Sequence, residues 1–243
     1  MTVRRRLAAP TERPAAFDPG MVAGLPDAAR RWLLHAIAPG TPLTTGALLR
    51  MRGAIRLGAW RPFTAAQVLR PPEGFLWSAT ARVAGLPVIG HDRYDAGVGE
   101  MRWRLLGAIP VLSASGPDVT RSAAGRLAGE LVLDPAAALT SAVTFEHVDD
   151  RRVRAHVTIG GEAHPVTLTV APDGALTSVT LPRWGNPDKG PYREHVFGAE
   201  FLAERTFGGF TVPSRVRVGW WYGTDRWDEG EFFRFTLWHA AFV

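Results

Sequence analysis

The chain has no cysteine and a single lysine, Lys189, among its 243 residues. Without thiols there can be no disulfide, no thiolate metal ligand and no cysteine nucleophile. That composition suits a reducing compartment such as the cytoplasm. Long apolar runs are missing too. The longest, Leu105 to Ser115, falls short of the roughly 18 residues a membrane span needs and contains Pro110. No apolar stretch precedes Pro10, so the arginine-bearing start does not read as a secretion signal. The histidines at 35, 91, 147, 156, 164, 195 and 239 form neither HxxxH nor HExxH, and no metal is expected. Phosphate-loop signatures are absent: Gly97-Val98-Gly99 lacks both a third glycine and a following helix. Ser113 and Ser115 beside Gly116 do not make a GxSxG elbow. No cofactor is expected.

The net charge of +5 is unevenly spread. Arg4, Arg5, Arg6 and Arg13 against Glu12 place +3 of it in the first sixteen residues. The remainder is nearly neutral and carries no arginine run interleaved with stacking aromatics, so nucleic acid is not an expected partner. The first twenty residues, rich in Arg, Pro and Ala, are read as a mobile tail. Residues 21–243 are read as a single β-rich domain, since all-β domains reach this length undivided. Nine tryptophans and twelve phenylalanines promise large buried areas. Nothing in the sequence specifies an oligomeric state.

One stretch interrupts the β pattern. From Pro117 to Pro135, Thr120, Ala123, Ala124, Leu127, Ala128, Leu131 and Val132 recur at helical spacing and form one apolar stripe. Asp118 is the expected cap, and Asp134-Pro135 the stop. Ser122, Arg126 and Glu130 follow one another at i+4 on the other face, as either a solvated pair or a polar wall. Gly125 and Gly129 lie beside them. Glycine in a helix costs about 1 kcal/mol against alanine, so a close neighbour is expected there. An earlier helix, capped by Asp27, presents Ala29, Trp32, Leu33, Ala36 and Ile37, and a short one follows Pro135.

Elsewhere the period is two. Ala47, Leu49, Met51, Gly53, Ile55 and Leu57 alternate with Arg50, Arg52 and Arg56. Similar runs at 63–69, 75–83, 88–94 and 101–105 precede the central helix. Those at 153–159, 166–170, 176–181, 197–207, 210–220 and 231–239 follow it. Short turns between them leave no room for crossovers, which implies an antiparallel meander of about eleven strands. Arg183 to Pro191, RWGNPDKGP, reads as a loop. Several polar residues fall on apolar faces: Gln67, Asp92 with Tyr94, Arg205, and His239 in line with Phe235 and Leu237. Each needs a partner or a ligand, because an unsatisfied buried polar group costs about 1–3 kcal/mol.

GAWRPFTAAQ (58–67), GFLWSAT (74–80), SAAGRLAGELVLDP (122–135) and FGGFTVPSRVRVGWW (207–221) resemble an uncharacterised family of bacterial proteins, a domain of unknown function. That resemblance brings no activity with it. The element order is similar to the lipoprotein-localisation carrier fold, in which one strongly curved antiparallel sheet forms a half-barrel and inserted helices cover its concave side. The resemblance implies a mainly β, single-sheet α+β architecture, with the N-terminal helix and the mid-chain helix on the concave face.

The expected function is binding or carriage of a hydrophobic or amphipathic small molecule between sheet and central helix. Trp77, Trp103, Phe201 and Trp220 would be walls. Asp92, Tyr94, Ser122, Arg126, Glu130 and His239 would be polar contacts, with Arg126 and Glu130 orienting a head group. One alternative is a metal-independent enzyme using Glu130 or Asp92 as general base. Another is an interaction module with an aromatic edge at Trp220, Trp221, Trp227 and Trp238.

Overall fold

The computed structural model describes residues 2–243. After a short helix α1 (Val3–Leu7) and the helix α2 (Asp27–Ala36) come six strands: β1 (Ala47–Leu57), β2 (Ala59–Arg70), β3 (Gly74–Val83), β4 (Leu86–Asp95), β5 (Val98–Leu105) and β6 (Ile109–Ser115). The central helix α3 (Pro117–Gly129) follows. Seven more strands complete the chain: β7 (Val143–His147), β8 (Arg152–Ile159), β9 (Glu162–Val170), β10 (Leu176–Gly185), β11 (Arg193–Phe207), β12 (Phe210–Trp220) and β13 (Glu231–Phe242). One turn of helix, α4 (Trp227–Gly230), precedes the last of them. No helix among the described residues is long and apolar enough to cross a membrane.

All thirteen strands form one sheet in the order β6-β5-β4-β3-β2-β1-β13-β12-β11-β10-β9-β8-β7. Neighbours are antiparallel, and the first strand meets the last from Ala47↔Phe242 to Ile55↔Phe233. Thirteen strands replace the expected eleven, and the two missed are the two edges. β6 holds Pro110 next to a register shift between Trp103 and Arg104, a place where the missing N–H breaks no regular ladder. β7 is only five residues long.

The sheet is strongly curved, and helix contacts show it. α3 touches both β5 and β10. Eight strand spacings separate these, about 38 Å on a flat sheet, whereas a helix with its side chains is only about 10–12 Å across. The sheet therefore curls around α3. β8 shows which face is inside: Val153, Ala155, Val157 and Ile159 are buried, while Arg152 is exposed and Arg154 and His156 are half-buried. Both α2 and α3 contact β8 and β9, so both lie on this concave side.

α2 seals its part of the sheet. Trp32, Leu33, Ala29 and Ala36 are at most 1% exposed. The Trp32 ring meets Phe145 edge-on at 6.5 Å. Asp27 is not the cap: Pro26 holds that position, and Asp27 in the first turn pairs with Arg30 at 2.6 Å. Nor do the first twenty residues trail as a tail. Leu7 and Phe17 are buried, Arg70 Nε donates to the Leu7 carbonyl at 2.9 Å, and Arg6 pairs with Glu73 and Asp95.

α3 is shorter than its sequence pattern. Beyond Gly129 the chain tightens into a 3₁₀ turn, Glu130–Leu133, and after Asp134 into another, Pro135–Leu139. Gly116 occupies the cap position, and Asp118 instead accepts a hydrogen bond from Trp184 Nε1 at 2.8 Å. Together with Gly99 N–H donating to Thr120 Oγ1 at 3.0 Å, this pins the helix between β10 and β5.

A cavity beneath the central helix

Under α3 the concave face is not filled. A cavity of about 370 Å³ remains between helix and sheet, within the range of small-molecule pockets. Its floor comes from the seam of the sheet: Met51 and Ile55 of β1, Phe233 and Phe235 of β13, and Val216 and Val218 of β12. Phe75 and Trp77 of β3 form one wall, Phe197 and Phe201 of β11 with Trp220 another. Asn186, Pro187 and Tyr192, from the β10–β11 connection, also line it. The aromatic wall is well knit: Trp77 packs on Phe63, Trp103 and Phe233, with ring centroids 5.7–5.8 Å apart.

The roof is polar. Arg126 Nε donates to Glu130 Oε1 at 2.7 Å, and its Nη1 to Asp92 Oδ2 at 3.1 Å. Trp103 Nε1 donates to Asp92 Oδ1 at 3.0 Å, and Gln67 Nε2 to Glu130 Oε2. Each of the four carboxylate oxygens thus accepts a hydrogen bond. The guanidinium also lies 4.4 Å from the Phe75 ring centre. Burial pushes the Asp92 carboxyl above the usual carboxylate range, although Arg126 and Trp103 oppose it. For Arg126 burial works against the charge, yet Glu130 and Asp92 outweigh it and the pKa is raised.

A second arginine sits beside this cluster. Arg183 Nε donates to the Ser122 carbonyl at 3.1 Å and its Nη2 to Ser122 Oγ at 3.4 Å. Its guanidinium stands 4.4 Å from the Phe197 ring centre and 5.2 Å from that of Trp220. Burial, helped by repulsion from Arg126, pulls its pKa down to about 9.

The glycines of α3 are explained by β10. A Cβ at Gly125 would lie 3.3 Å from Arg183 Cγ, and one at Gly129 the same distance from Leu181 Cδ2. The close neighbours are side chains of β10, and the small helix residues let that strand slide under the helix.

Of the residues singled out in the sequence, the structure gathers Trp77, Asp92, Ser122, Arg126, Glu130, Phe201 and Trp220 around the cavity. Three lie elsewhere. Tyr94 is on the expected face but beyond the void, 4% exposed, with its hydroxyl against Gly160. Trp103 stands behind Trp77 and reaches the cluster only through Asp92. His239 is exposed on the opposite face. A bulge is the reason: Arg50 pairs with His239 but Met51 with Leu237, so Trp238 is the extra residue and the alternation slips by one. Register shifts in β11 around Ala203 likewise leave Arg205 exposed, not inward. The tryptophans expected to form one edge are dispersed, with Trp220 in the cavity wall and Trp238 exposed on the far face of β13.

Arg183 was hidden in what reads as a loop. β10 in fact continues to Gly185, with Pro182 inside it. β9 pairs with β10 only as far as Thr180, so beyond that point the strand has an open edge where proline breaks no ladder. Carrying the two-residue period of Val179 and Leu181 one step further would have placed Arg183 on the inner face.

The profile of one protein family matches residues 15–235, most of the chain. The chain belongs to DUF6544, a family of unknown function. No curated protein matches the sequence. Among solved structures, a LolA superfamily protein from Nitrosomonas europaea is similar at a TM-score of 0.49 and 10% identity, over 89% of this chain and 92% of that one. A domain from Vibrio parahaemolyticus, titled as an outer membrane lipoprotein-sorting protein, is similar at a TM-score of 0.44 and 9% identity, over 81% and 85%. Among the described residues of this family member, no group of three His, Cys, Asp or Glu side chains is placed to hold a metal.

Proposed function

We propose that this protein binds a hydrophobic or amphipathic small molecule in the cavity under α3. One observation carries the reading: a cavity of about 370 Å³ stays open between α3 and the sheet, lined mostly by aromatic and aliphatic side chains, with Arg126, Asp92 and Glu130 hydrogen-bonded together in its lining. Apolar walls of this kind are poorly satisfied by water, and an apolar guest that displaces it removes the lining from solvent. Arg126, Asp92 and Glu130 set the orientation of the guest.

The enzymatic alternative is less well supported. Asp92 and Glu130 do face the cavity, but each carboxylate oxygen already accepts a hydrogen bond from Arg126, Trp103 or Gln67. Each oxygen keeps a second lone pair, so the network counts against base chemistry only in that both carboxylates are already engaged as partners of Arg126.

Native mass spectrometry of the purified protein tests the binding reading, together with melting temperature against a panel of lipophiles. A co-purifying lipophile, or one that raises the melting temperature by mass action, supports it. If nothing co-purifies and no lipophile shifts melting, the reading fails.

A further inference from the structure

Three arginines line this cavity, and the protein treats them differently: Arg93 is met by Glu100. Arg126 is met by two carboxylates. Arg183 is met by none: its hydrogen bonds go to the Ser122 carbonyl and hydroxyl, both neutral. Among the described residues it has no ion pair, and its Nη1 makes no hydrogen bond. The group is nonetheless tightly positioned. It is sandwiched by Phe197, Trp220 and the backbone of α3, and Gly125 lies against its Cγ. Asp92 and Glu130 attract it only from a distance, and a buried cation without a direct partner is costly.

We propose that Arg183 is the anchor for a ligand that carries one carboxylate on a single apolar tail, a fatty-acid-like monoanion whose tail runs toward Phe233 and Phe235. This rests on the cavity being a binding site. The carboxylate would give Arg183 the charge-assisted hydrogen bonds that Ser122 cannot. The single charge follows from the neighbours. Asp92 and Glu130 flank Arg126 on the same roof and repel a second negative charge, which disfavours a phosphate monoester. The tail follows from the volume. About 370 Å³ lies in the range of pockets that hold drug-sized ligands, with room for an alkyl chain beside the head group.

The test compares dodecanoate, dodecanol, methyl dodecanoate and dodecyl phosphate by calorimetric titration into the full-length protein. Dodecanoate should bind at least about tenfold more tightly than the alcohol or the ester, the worth of one hydrogen bond to a charged group. It should also outbind dodecyl phosphate. In Arg183→Gln the preference for dodecanoate over dodecanol should vanish. Equal binding of acid, alcohol and ester by the wild-type protein overturns the head-group assignment but leaves the apolar cavity as a binding site. Tighter binding of dodecyl phosphate overturns the single-charge argument. Absence of binding by all four overturns both. The wild-type comparison decides the matter even if Arg183→Gln fails to fold.

Discussion

The two helices on the concave face do opposite things. α2 offers Trp32 and Leu33, and both are buried against its part of the concave face. α3 offers Ala123, Ala124, Gly125, Ala128 and Gly129, with Leu127 its largest apolar side chain, and a space stays open below it. Both are amphipathic, both are trapped by the same curved sheet, and both contact β8 and β9. Side-chain volume separates them. A helix of small residues can approach the strands at its sides, as α3 approaches β10, yet cannot reach the floor several ångströms below. Holding a void open thus needs a sheet wider than the helix and a helix too thin to fill it.

That contrast can be broken on its solid side first. Trp32→Ala removes the largest fully buried side chain from a region with no space to collapse, and should cost about 3–5 kcal/mol in chemical denaturation. It should leave dodecanoate affinity unchanged.

Just past α3 lies Asp134, fully buried, with neither carboxylate oxygen hydrogen-bonded among the described residues. Burial raises its pKa from 3.8 to about 8, the Arg70 charge notwithstanding. The folded chain therefore keeps a proton that the unfolded chain releases above pH 4, and stability falls as pH rises from about 4 to 8, at roughly 1.4 kcal/mol per unit. Asp134→Asn should abolish that slope and stabilise the protein by a few kcal/mol at pH 7. Urea midpoints measured across this range would show an unchanged slope if Asp134 titrates normally.

Filling the open side should be far milder for stability. Ala123 is half-buried and lines the cavity, so Ala123→Phe has room for its ring and should change stability by no more than about 1 kcal/mol. Lipophile binding should be lost, as read by mass spectrometry and thermal shift. The smallest effect is expected at Gly125. Alanine there gains up to about 1 kcal/mol of helix propensity, but its Cβ would press on Arg183 Cγ from 3.3 Å. Net stability should move by less than about 1 kcal/mol, while the acid-over-alcohol preference weakens. An unaltered preference would show that Gly125 plays no part in seating Arg183.

Much of this was legible in the chain. The alternation of Val153, Ala155, Val157 and Ile159 with charged residues gives both the strand and its inner face. The stripe from Thr120 to Val132, with two glycines beside it, marks the helix that needs close neighbours. Asp92, Ser122, Arg126 and Glu130 could be placed near one another once the helix was laid across the sheet. What failed to show were departures from strict period: the bulge at Trp238 that turns His239 outward, and the bulged, proline-bearing edge strand β6. Pro182 hid the last residues of β10, and Arg183 with them. A proline reads as a breaker unless one knows which strand ends early beside it. That is set by Thr180 pairing with Thr167, a fact of tertiary contact and not of local sequence.

The seam between β1 and β13 fixes the order of assembly. Met51 and Ile55 precede Phe233 and Phe235 in the chain by about 180 residues, and the floor needs both. The early hairpins can form one after another, but the cavity has no bottom until β13 is made and docked on β1. Loss of β13 would therefore open the middle of the sheet, not fray one edge of it.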